Sequence, residues 1–287
     1  SSTRLDFFVN QKPGNEPIPY YALEVEHLRR MHVIGVRSDM NEFFHIHPSE
    51  TYEPGIFSGG YTFANPGKYK IWSEIKKDEV NYAFGHPPVV VQGIGTTENK
   101  QVSFARQFLV GNYQALLSLD EPVVKGHPHD LTFEIHTPDG RDVELDDYLA
   151  AKMHLTLIKD DWKQFIHTHP KGPGHSATLR VINVANANGG DKHSGAQMDD
   201  HAATPSNVHG IPFQVIFPEA GLYKAFAQFR PKNSTLLPDE ALTAEFWIEV
   251  KDKAPSGISA WTGLLIVSLI AIGVLTWLVR RYLKVGS

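Results

Sequence analysis

Residues 31–48 read "MHVIGVRSDMNEFFHIHP", and residues 153–170 read "MHLTLIKDDWKQFIHTHP". The two stretches share one design. A β-rich run begins with Met-His, a polar turn follows, and a second run ends in His-x-His-Pro. His32 precedes His45 by 13 residues, and His154 precedes His167 by the same 13. Each stretch reads as an antiparallel hairpin, turning near Ser38-Asp39 in the first and at Asp160-Asp161 in the second. Asp is a favoured turn residue. Paired positions in the first hairpin should then sum to about 77–79, with His32 opposite His45 or His47. The second should set His154 opposite His167 or His169.

Side chains at i and i+2 of a strand share a face, so His45 and His47 point the same way, as do His167 and His169. Three imidazoles per hairpin are therefore expected to converge: His32, His45 and His47 in one copy, His154, His167 and His169 in the other. Three neutral imidazoles suit zinc or copper and leave a coordination position open. The alternative is a duplicated domain that keeps its histidines for structural hydrogen bonds. Met31 and Met153 face the other side of their strands and read as core. His27 and His86 have no partner at useful spacing, and His127 and His129 sit in a turn before a strand.

Working outward, short β-rich runs separated by turn clusters fill the chain up to about residue 253, the pattern of an all-β protein. Downstream of each motif, "FANPGKY" (63–69) answers "FPEAGLY" (217–223). The expected architecture is two tandem antiparallel β-sandwich domains, residues 1–105 and 106–253. The second carries a loop insert at 171–209 that holds His175, His193, His201 and His209. A loop of that length inside a compact domain is uncommon unless it is functional or mobile.

Composition narrows the function. The 287 residues carry a formal net charge of −5 with no basic stripe, which argues against nucleic acid as a partner. With no cysteine, disulfides, thiolate metal sites and cysteine nucleophiles are excluded. Fifteen histidines against 27 Lys plus Arg show that His serves something other than charge. No phosphate loop, nucleophile elbow or paired carboxylates at glycosidase spacing is present.

Residues 254–287 differ. "ISAWTGLLIVSLIAIGVLTWLV" (258–279) is uncharged, long enough for a bilayer core, and has Trp261 and Trp277 near its ends. Arg280, Arg281 and Lys284 follow it. The positive-inside rule then places a short tail in the cytoplasm and the bulk of the chain outside it, in the periplasm, on a single span of the cytoplasmic membrane. This topology implies a targeting segment ahead of Ser1. Ser259 and Gly263 form a small-xxx-small pair suited to packing against another helix.

In tandem, "MH…FxHxHP…F…GxY" resembles a group of extracytoplasmic bacterial proteins built from Ig-like or cupredoxin-like sandwiches. The likeness covers about residues 23–75 and 108–250, and it implies handling of a metal such as copper outside the cytoplasm. A looser resemblance links Phe44-His45-Ile46-His47 to the "FHxH" strand of copper/zinc superoxide dismutases, but the disulfide of that family is impossible here. The reading that follows is a membrane-anchored binding or scaffold protein with two three-His metal sites for copper or zinc. It would act without catalysis, as an accessory subunit docked on a larger electron-transfer complex in the membrane. Metal handling or delivery is the alternative, and a copper-dependent redox enzyme the second.

Overall fold

A computed structural model describes residues 2–170, 181–183 and 210–253. The insert at 171–209, apart from the backbone of Val181–Asn183, lies outside the described residues, as do its four histidines and the segment 258–279. Among the described residues the chain is all-β, with one short 3-10 turn at Tyr20–Ala22, and no helix is long and apolar enough to cross a membrane.

In the first copy, one sheet runs in the order Val89–Val91, Gly67–Lys77, Met31–Arg37, Phe43–Ile46, with Val80–Gly85 also paired to Gly67–Lys77. A three-stranded sheet of Thr3–Phe8, Ile56–Tyr61 and Ser49–Glu50 accompanies it. Val33, Phe44, Phe57, Tyr69 and Ile71 form one buried cluster from the two. The second copy pairs a four-stranded sheet, Gln107–Val110, Tyr113–Leu119, Pro128–His136 and Ile211–Ile216, with a seven-stranded one. The larger sheet is built around Leu242–Lys251, Gly221–Pro231, Met153–Lys159 and Gln164–Thr168. Leu131, Phe133 and Phe213 from the smaller sheet share a core with Met153, Leu155, Tyr223 and Phe246 from the larger.

Every residue of Met31–Arg37 and of Met153–Lys159 is buried. Alternation explains how one strand serves two neighbours. Met31 and Val33 belong to the first copy's own core, and Met153, Leu155 and Leu157 to the second's. The opposite faces meet each other. Ile34, Val36, Met40 and Trp72 of the first copy cluster with Ile158, Phe165, Phe226 and Trp247 of the second. A strand covered on both sides is largely apolar, and the polar residues on the seam faces of these two strands are His32, His154 and Thr156, all buried.

This seam is reciprocal. Trp72 and Phe226 occupy matching positions on Gly67–Lys77 and Gly221–Pro231, and Phe43 and Phe165 match on the motif hairpins. Trp72 stacks on Phe165 at 5.0 Å between ring centroids, and Phe43 stacks on Phe226 at 4.2 Å. The two copies thus pack as the halves of an isologous dimer do, each patch against its own counterpart. Fully burying one such aromatic contributes about 1.5–3 kcal/mol.

Candidate metal centre

The hairpins deliver the histidines to the seam. Val33 pairs with Ile46 and Leu155 with Thr168. Continued by one residue, these registers set His32 opposite His47 and His154 opposite His169. The turns are built alike. The Asp39 and Asp161 carboxylates each accept a bond from the backbone N–H two residues on, of Asn41 and Lys163, at 3.1 Å. The intervening Met40 and Trp162 take the left-handed conformation, at φ 66° and 64° respectively for Trp162 and Met40.

The first histidine of each motif is anchored by a tight turn upstream. His32 Nε2 lies 3.0 Å from the carbonyl of Glu26, and His154 Nε2 lies 2.9 Å from the carbonyl of Tyr148. A carbonyl only accepts, so Nε2–H is the donor in both rings and Nδ1 carries the lone pair. Each carbonyl opens a two-residue turn with both central residues at positive φ, His27-Leu28 in one copy and Leu149-Ala150 in the other.

The middle histidines are held across the seam. His167 Nδ1 bonds the Glu74 carboxylate at 2.6 Å, and His45 Nδ1 bonds Gln228 Oε1 at 2.8 Å. Glu74 and Gln228 occupy matching positions on their strands, so each copy orients the other's central imidazole. With Nδ1–H donating outward, Nε2 of each ring points into the cluster. Ligating histidines are commonly oriented in this way by a carboxylate or carbonyl behind the ring.

Inside, His32 Nδ1 and His47 Nε2 each lie 3.2 Å from His45 Nε2. The His32 and His45 nitrogens are both acceptors, so no hydrogen bond joins them in the neutral state. Two nitrogens bound to one zinc ion in a tetrahedral shell stand about 3.3 Å apart, given bonds of about 2.0–2.1 Å. The spacing therefore fits a shared cation. In the second copy His169 Nε2 lies 2.9 Å from His154 Nδ1.

Three groups have ligand atoms that all lie within 4.8 Å of one another and could hold a metal ion: His32, His45 and His47; His45, His154 and His167; and His27, His154 and His169. The six histidines expected from the motifs thus form one continuous cluster. His154 and His169 group with His27, while His167 groups with His154 and His45. His27 stacks on the His169 ring at 3.6 Å between centroids. Sequence spacing gave His27 no partner because its neighbours come from the other copy. Glu74 and Gln228 went unnoticed for the same reason. His86 bonds Ser73 Oγ at 2.9 Å, and His129 bonds the Val124 backbone.

Burial favours the neutral form of His32, His45, His47 and His154. It holds His32 down from its ordinary 6.5 to about 4, with the neighbouring His167 adding to the effect. It lowers His45 and His154 as well, again reinforced by His167, and lowers His47, reinforced by His45. Neutral imidazole is the form that binds metal.

A family model described as a domain of unknown function (DUF8832) matches residues 1–90 and 109–252. The chain belongs to that family. The two matched segments of DUF8832 fall one on each copy and contain all seven clustered histidines. No curated protein compared with the chain matches it. Membership in DUF8832 states no activity, so the functional reading rests on the side chains.

Proposed function

We propose that the chain is a metal-binding protein that holds copper or zinc ions at the histidine seam between its two repeats. It binds rather than catalyses. The observation that carries this reading is the set His32 Nδ1, His45 Nε2 and His47 Nε2, with separations of 3.2 Å to the central nitrogen. Two of these atoms have lone pairs fixed inward by bonds behind their rings, and a cation accounts for the close approach. An all-imidazole donor set suits zinc and copper, and hard oxygen-seeking ions such as magnesium and calcium do not select it.

The wider setting is part of the same reading. The paired sheets support two Ig-like or cupredoxin-like sandwiches, and the apolar segment 258–279 supports a single membrane span with the repeats on the periplasmic side. The tandem motif's likeness to extracytoplasmic metal-handling proteins agrees with this. The small residues Ser259 and Gly263 favour docking on a membrane partner. Native sizing of the full chain in mild detergent tests the docking role: a complex larger than the monomer is expected, and a lone monomer contradicts it.

Elemental analysis of the purified full chain tests metal binding. His45 and His154 are each shared by two groups, so His45→Ala with His154→Ala removes a ligand from all three. Copper or zinc should accompany the native protein and be lost from the double variant. Unchanged metal content in a variant that still melts cooperatively would reject these ligands.

A further inference from the structure

The three groups overlap in a particular way. The end groups, His32/His45/His47 and His27/His154/His169, have no residue in common. The middle group, His45/His154/His167, takes one ring from each end. Burial follows the same pattern. All three middle rings are buried, whereas His47 at one end and His27 and His169 at the other are half-buried. Access from solvent is therefore by the ends, and the middle is reached through them.

Resting on the metal-binding reading above, we infer that the seam takes two ions at once, one at each end, and that the middle group is an exchange position between them. With both ends filled, His45 and His154 are engaged and the middle is closed. With one end empty, an ion at His32/His45/His47 moves inward by keeping His45 while exchanging its other two ligands for His154 and His167. It reaches the far end by keeping His154 and taking His27 and His169. At each move one nitrogen stays bound, so the ion is never released into a buried space without a ligand. That matters because an unpaired charge in a low-dielectric interior is costly. The far end draws His27 from one repeat and His154 and His169 from the other, so it exists only while the repeats are docked.

Binding capacity separates this arrangement from a single site. The full chain in mild detergent is dialysed anaerobically against copper(I), then against metal-free buffer, and bound copper is counted per chain. Copper(I) is the probe because its single charge limits repulsion between neighbouring ions. Two ions per chain are expected. His47→Ala and His169→Ala, each alone, should lower capacity from two to one. The two combined should still retain one ion, held by the middle group. His167→Ala should leave capacity at two. One ion per chain in the native protein overturns the two-ion arrangement but leaves metal binding standing. No ion overturns both. Complete loss in the combined His47→Ala, His169→Ala variant removes the exchange position, provided the variant's melting transition matches the native one.

Discussion

Glu74 reaches out of the first repeat and accepts a hydrogen bond from the Nδ1–H of His167 in the second at 2.6 Å, both side chains buried. At the matching position the second repeat offers Gln228, which bonds His45 at 2.8 Å. The two central imidazoles are thus oriented in the same manner by groups of different charge. A carboxylate behind a ring raises its basicity as a ligand more than a carboxamide does.

Glu74→Gln keeps the shape of that contact and removes its charge. In the His47→Ala, His169→Ala variant, where the middle group holds the ion, we expect Glu74→Gln to lower metal affinity by about 10–100-fold, the usual cost of losing a partner behind a ligating histidine. Competition with a chromophoric chelator reads this directly. Gln228→Glu should act in the opposite direction at His45. Equal affinity in both variants would mean that the central rings do not bind metal.

Acid should destabilise the metal-free protein. In the unfolded chain these histidines titrate near 6.5, whereas burial holds His32 down to about 4 and lowers His45, His47 and His154. Below 6.5 the unfolded state binds more protons, so stability present above that pH is lost as pH falls toward the folded values. Each ring kept neutral costs up to about 1.4 kcal/mol per pH unit in that window. Urea melts at about pH 7.5, 6 and 5 should show a falling midpoint. A midpoint that does not move would mean that the rings are solvated.

Trp72 lies in the apolar part of the seam, fully buried against Phe165. Trp72→Ala should cost about 3–5 kcal/mol, as large-to-small changes in cores do. Because that cluster joins the repeats, the same variant should also weaken metal binding, although no histidine has changed. A destabilised protein with native metal affinity would show that each repeat binds metal by itself.

Much of this arrangement is legible in the sequence, and the reason is local. Asp39 and Asp161 mark the hairpin turns, and the turns fix the register. The register then sets His32 opposite His47 and His154 opposite His169. Met31 and Met153 fall on the core faces as alternation requires. The docking of one hairpin on the other is not local, and it regroups the histidines. His27 lies 127 residues from His154 in the chain, and Glu74 lies 93 from His167, so no spacing pattern connects them. One clue was available. "MHVIGVR" lacks the polar alternate positions of a half-exposed strand, and a strand apolar on both faces needs a second cover.

X-ray absorption at the metal edge of the copper- or zinc-loaded full chain asks most directly whether the seam histidines converge on an ion. A first shell of nitrogen at about 2.0 Å is expected, with the outer-shell scattering of several imidazoles and no sulfur. That pattern should be lost in the His45→Ala, His154→Ala variant. An oxygen-dominated shell, or an imidazole pattern that persists in the variant, would contradict it.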